Sequence, residues 1–248
     1  MTAATAHSAR TLGVATIAFG IAFNVPFSVL GSIFDYPDVL RRPAGEVLAM
    51  FHEGGATLIL TWHSFALAAL AFAPLAIGLS LRGERVRDFP ALAVGAAMAG
   101  SMAGLAQAIG LWRWVFVVPS LAAAHADPAA SEAARVSAEL TFSLINLYGG
   151  VAVGEHIGQL LTALFMGLLA TVQMREGNRI TASIGYAAAA AIVIGTNEGL
   201  AIALGGSGEM FALVTIAGFL GLTAWLVATG VTMLRGRAPL ATGLPAAA

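Results

Sequence analysis

Six polar side chains lie within or beside long apolar runs of this sequence: Glu53, His63, Arg113, Glu155, His156 and Gln159. Ionisable groups in such runs are costly, so they face a protein interior, pair with one another, or serve function. Glu155 and His156 are adjacent, and Gln159 follows them by four and three residues, so the three can share one helix face. A carboxylate beside an imidazole is the material of general acid–base chemistry. His63 and His156 on facing helices would also suit an axial haem pair. On straight helices, however, they lie at depths of roughly 12 Å and 8 Å, and no CxxCH motif is present. A zinc site from His52, Glu53, Glu155 and His156 would lack HExxH spacing. Neither cofactor is expected, and no metal site is assigned.

Each residue also has a plainer reading. Arg113 stands between Trp112 and Trp114, as an interfacial anchor would. Glu155 would pair with Arg113 across two packed helices, and His63 would be a hydrogen-bonded core residue. Glu198, beside Asn197, reads as interfacial, while His7 and His125 lie in polar segments and carry no expectation.

Other chemistries are excluded by composition. The chain has no cysteine, which removes disulfides, thiolate metal sites and cysteine nucleophiles. All twelve basic residues are arginines, scattered in ones, twos and threes, so no basic face suits nucleic acid. There is no GxSxG elbow, and GGSG at 205–208 has neither the lysine nor the strand of a phosphate loop. Charged residues make up only 10% against 58% hydrophobic, far from the ~25% charged of a soluble domain.

These residues must be positioned by membrane helices. Six apolar runs, at about 11–34, 55–81, 90–112, 151–173, 181–204 and 211–234, are each long enough to cross the ~30 Å hydrocarbon core. The expected fold class is all-α: a polytopic membrane helix bundle in one domain, six transmembrane helices plus an extracytoplasmic amphipathic helix. The run from Thr11 is too long for a signal-peptide core and reads as a retained span. Pro26 should kink it. Gly100 and Gly104, then Gly150, Gly154 and Gly158, form small-residue faces that let helix backbones approach.

An even number of spans puts both termini on one side. Arg10, Arg82, Arg85, Arg87, Arg175, Arg179, Arg235 and Arg237 fall there, against Arg41, Arg42, Arg113 and Arg135 opposite. That asymmetry predicts cytoplasmic termini. The two longer connections are then outside. Residues 35–54 hold an acidic turn and a short helix after Pro43 that ends at Gly54-Gly55. In residues 113–150, Asp127-Pro128 reads as a helix N-cap. The helix that follows carries Val136, Leu140, Leu144 and Leu147 on one face, as a helix lying on the bilayer or capping the bundle would. The six polar residues named first all fall in the outer half.

The stretches FDYPDVLRRPAGEVLAMFHEGGATLILTWHSFALAALAFAPLAI, GLWRWVFVVPSLAAAHADPAAS and GGVAVGEHIGQLLTALF resemble an uncharacterised family of bacterial multi-pass membrane proteins, a domain of unknown function. The likeness covers roughly 11–234, and the RWxFVVP and GEHxG stretches carry most of it. It implies a six-span protein of the bacterial inner membrane and brings no substrate, cofactor or catalytic residue. FSLINLYGG departs from the more aromatic sequence the resemblance leads one to expect there.

The leading expectation is a small-molecule, lipid or proton binding or sensing module. Its polar pocket would lie in the outer half of the bundle and be lined by His63, Arg113, Glu155, His156, Gln159 and Glu53. The alternatives are a membrane-embedded enzyme using Glu155 and His156 as acid and base, and a structural assembly subunit. The partners expected are the lipid bilayer, a small-molecule or lipid ligand, and a second copy meeting the glycine-rich faces.

Overall fold

A computed structural model describes residues 3–235, and every regular element among them is helical. Arg237, one of the arginines used above for orientation, lies outside the described residues. The protein is an all-α bundle with six helical runs long and apolar enough to cross a membrane. The first is α1 (Ala3–Ala22) continued by α2 (Asn24–Phe34), and a 3₁₀ turn, Asp38–Arg41, follows. The second is α3 (Ala44–Ser80), which a short α4 (Gly83–Asp88) links to the third, α5 (Pro90–Phe116) and α6 (Val118–Ala126). The fourth joins α7 (Glu132–Ile145), a π-helical segment Asn146–Ile157 and α8 (Gly158–Arg175). Then come α9 (Arg179–Gly195), α10 (Glu198–Ala203) and α11 (Glu209–Arg235).

The ends of the described chain lie together, with Gly13 against the Gly230 carbonyl and Met233. The opposite end of the bundle is its far end. There the second, third and fourth runs, of 37, 37 and 44 residues, reach well beyond a single crossing. At about 1.5 Å per residue they span roughly 55–65 Å, against ~30 Å of hydrocarbon. They rise as a three-helix extension past the ends of the first, fifth and sixth runs.

Two breaks arise where the sequence dictates them. Pro26 has no N–H to bond the carbonyl four residues back, and α1 gives way to α2 at Phe23. Beyond that break α2 packs on α3, whereas α1 stays along α11. In α3 the helix bends at Gly55, whose φ of 52° and ψ of −142° suit a residue without Cβ. The short helix expected after Pro43 is therefore the first stretch of α3.

Two expectations for the far connections are corrected. α7 is capped by Ser131, whose side chain accepts from the Ala134 N–H, while the Asp127 carboxylate accepts from Ala129 N in the turn before it. Nor does α7 lie as a separate surface helix: it runs directly into the fourth span. Its Ala138 and Phe142 pack inward, and Val136, Leu140, Leu144 and Leu147 face away from the protein.

Two apolar clusters stack along the bundle axis. Toward the termini, Phe72, Phe165, Leu169, Ile192, Trp225 and Leu226 interlock. Toward the far end Phe34, Phe51, Trp62, Trp114, Val118 and Phe142 do so, with Trp62 and Trp114 stacked at 4.9 Å and 8°. The first cluster contains one polar network. The Trp225 indole donates to Gln173 Oε1 (2.9 Å), and Gln173 Nε2 donates to Thr229 Oγ1 (3.0 Å). Gln173→Leu strands that buried indole N–H, so a loss of about 1–3 kcal/mol is expected in thermal or denaturant unfolding. An unchanged midpoint would show the network to be incidental.

Candidate functional site

The far half of the bundle holds a cavity of about 830 Å³. That volume lies within the ~300–1,000 Å³ range of small-molecule sites. Its walls come from α2, the Asp38–Arg41 turn, α3, α5, the π segment, the start of α8, α10 and α11. Of the residues picked from the sequence, Arg113, Glu155 and Gln159 line it; His63, His156 and Glu53 do not.

The wall is built by a close approach of α5 to the π segment. A Cβ placed on Gly110 would fall 2.6 Å from Gly154 Cα, and one on Gly150 would fall 2.5 Å from Arg113 Nη2. Glycine at these positions lets two backbones touch and lays the guanidinium flat on the segment. A little nearer the termini, Gln107 Nε2 donates to Thr162 Oγ1 (2.8 Å). The small-residue faces thus pack against elements of the same chain, Gly100 and Gly104 against Ala76 and the Ala69 carbonyl. π-helical winding is rare and clusters at functional sites.

Arg113 is 93% buried, its relative exposure being 7%, and makes no ion pair among the described residues. It donates to Asn146 Oδ1 (3.0 Å) and to the Gly110 carbonyl, both neutral, and its Nε meets no acceptor among the described residues. Its guanidinium carbon sits 5.1 Å from the Trp114 ring centroid. The expected Arg113–Glu155 pair is therefore corrected. Glu155 pairs with Arg41 (3.1 Å), and the same guanidinium holds Glu198 at 2.8 Å. Arg41 arrives from the turn between the first two spans, which is pinned where Asn146 Nδ2 donates to the Leu40 carbonyl (3.4 Å). Burial alone would lower the Arg41 pKa, but Glu155 and Glu198 outweigh it and raise it. Tyr36, in the same wall, has its pKa raised by burial and then by Glu155, so its hydroxyl stays protonated.

The lining is graded along the bundle. At the far end stand Tyr36, Arg41, Arg113, Glu155 and Glu198, with Asp38 and Glu209 exposed at the rim. Deeper, Phe23, Phe27, Phe65, Ile216, Phe219 and Leu220 make an apolar floor. On one side the floor opens between α2 and the first half of α11. Asn24 Nδ2 donates to Thr223 Oγ1 (3.0 Å), and among the described residues α2 and α11 have little other contact. Leu213 and Leu220 of α11 both line the cavity and face outward.

The residues outside the cavity have other surroundings. His156 Nδ1–H donates to the Thr196 carbonyl (3.0 Å), which ties the π segment to the end of α9. His63 is half-buried with Nδ1 unpartnered, and His52 and Glu53 are exposed just before the Gly55 bend. Among the described residues no three His, Asp or Glu side chains gather around a metal-sized space. His125, given no weight above, bonds Glu139 Oε1 at 2.9 Å and clips α6 to α7.

Sequence reasoning missed Arg41, Tyr36 and Trp62. Tyr36 and Arg41 depend on a turn folding back and Trp62 on the rotation of α3 about its axis, and no local pattern announces either. A family model described as a domain of unknown function (DUF4386) matches residues 11–230. No curated protein and no solved structure matches the chain.

Proposed function

Because the chain belongs to the DUF4386 family, whose description carries no activity, we propose a function from the site itself. The protein is a binding module of the bacterial inner membrane with cytoplasmic termini, and its far-half cavity takes one amphiphilic molecule from the outer leaflet. The arginine distribution supports that orientation. The observation that carries the reading is the buried Arg113 in the wall of an 830 Å³ cavity, hydrogen-bonded among the described residues only to neutral acceptors. A buried charge that is not directly ion-paired is costly, and a ligand that accepts hydrogen bonds relieves the cost. The polar end of the cavity suits a headgroup, the aromatic floor suits a chain, and the gap between α2 and α11 gives lateral access from lipid. The acid–base reading of Glu155 and His156 finds less support, since Arg41 engages the first and the second does not line the cavity.

Protein extracted in native-membrane particles, then stripped with organic solvent, should release a retained amphiphile at near one per chain. Arg113→Gln, which removes the charge, and Ala212→Trp, which fills the cavity, should each lower that yield at least tenfold while the thermal midpoint is retained. Equal yields from all three proteins would refute the proposal.

A further inference from the structure

The charges of the cavity wall do not balance, and the imbalance has a direction. One guanidinium, Arg41, is shared by two carboxylates, Glu155 and Glu198, and Asp38 and Glu209 add two more at the rim. This region therefore carries surplus negative charge. Arg113, in the same wall, carries positive charge and among the described residues hydrogen-bonds only to neutral acceptors. The two regions are close: the guanidinium lies on Gly150, and Glu155 comes five residues later, about one turn of the π segment. Behind that wall the indole N–H groups of Trp62 and Trp114 are buried and meet no acceptor among the described residues. A simple anion would satisfy Arg113 but sit beside the acidic surplus. A simple cation would satisfy the surplus but leave Arg113 unmatched.

We infer that the head taken by this cavity is zwitterionic: a phosphate against Arg113 and an ammonium against the carboxylates around Arg41. The inference rests on the amphiphile reading above and names its head. Phosphate accepts from a guanidinium in the planar, two-oxygen geometry that arginine favours and leaves further oxygens for N–H donors. An ammonium has three donors and no acceptor, as the surplus carboxylates require. Tyr36, partly exposed in the same wall, adds an aromatic ring beside which a cation is favoured. The same head chemistry occurs on an aminophospholipid and on a water-soluble phosphoethanolamine. The open side between α2 and α11 favours the lipid, because it admits chains directly from the bilayer and bypasses the acidic rim.

The test is a binding titration of purified protein, read by native mass spectrometry. The probes are dioleoyl phosphatidylethanolamine, its N-acetylated form, dioleoyl phosphatidic acid and glycerophosphoethanolamine. Phosphatidylethanolamine should bind about tenfold more tightly than the two probes without an ammonium. Glu198→Gln, which leaves Arg41 with one carboxylate, should erase most of that preference without weakening phosphatidic acid. Arg113→Gln should weaken every phospholipid by a similar factor, and circular dichroism should report the same helix content for both variants. Glycerophosphoethanolamine binding at least a hundredfold more weakly identifies a lipid source; equal binding identifies a soluble one and still supports the head. Phosphatidic acid binding as tightly as phosphatidylethanolamine would overturn the zwitterion and leave the amphiphile site standing. Failure of every probe, with Ala212→Trp indistinguishable from wild type in the solvent-release assay, would overturn both.

Discussion

Glu176→Ala is expected to lower the unfolding free energy by about 3–5 kcal/mol, the cost of leaving a buried charge without its partner. Glu176 and Arg85 form a two-pronged ion pair at the terminal end of the bundle, Nε to Oε1 and Nη2 to Oε2, both at 2.8 Å. Arg85 is 4% exposed, and its remaining arm donates to the Leu79 carbonyl. The contact joins α4 to the chain just past α8, so it fixes the third span relative to the fourth. Replacing both partners by methionine should cost far less than the single change, because no buried charge remains. Denaturant unfolding in mild detergent measures both proteins. A single variant as stable as the double would show that water reaches Arg85 and that the pair is ordinary surface electrostatics.

Gly110→Ala and Gly167→Ala should move stability in opposite directions. A methyl at 110 meets backbone, Gly154 Cα at 2.6 Å and the Gly149 carbonyl oxygen at 2.9 Å, and neither can rotate away. α5 and the π segment must separate, at a cost of about 1–3 kcal/mol, the usual penalty of overpacking. The same separation shifts Arg113 against Glu155, so retained amphiphile should fall together with stability. A methyl at 167 meets nothing within 4 Å in α8, and alanine is the better helix former by up to about 1 kcal/mol. Thermal unfolding of the two variants beside wild type reads both signs. A stabilised Gly110→Ala would mean that the two backbones do not touch.

The spans were legible because a bilayer demands some twenty apolar residues in a row, and Pro26 and Gly54-Gly55 were legible as breaks because their backbone chemistry is local. Arg113, Glu155 and Gln159 were legible for a similar reason: a polar group in a span has to be placed somewhere, and the far half was the common level. Rotation about each helix axis was not legible. His63 and His156 share that level, yet they sit on faces that miss the cavity, and no residue count from a helix end encodes that. The stripe of Val136, Leu140, Leu144 and Leu147 poses the same problem. In lipid an apolar face can point either way, and here Ala138 and Phe142 take the inward side. Ser131 and Asp127 are both good N-cap residues, so choosing between them required the turn geometry. Arg41 was the largest omission. Its loop position gives no sign that the Asp38–Arg41 turn folds back to reach side chains 114 and 157 residues away in sequence.

The most direct measurement is a high-resolution density map of the protein extracted with its native lipid. The account predicts elongated density in the far-half cavity, with its head within hydrogen-bonding distance of Arg113 and its tail leaving between α2 and α11. A cavity filled by ordered water alone, or closed by Arg113 swinging onto Glu155, would contradict it.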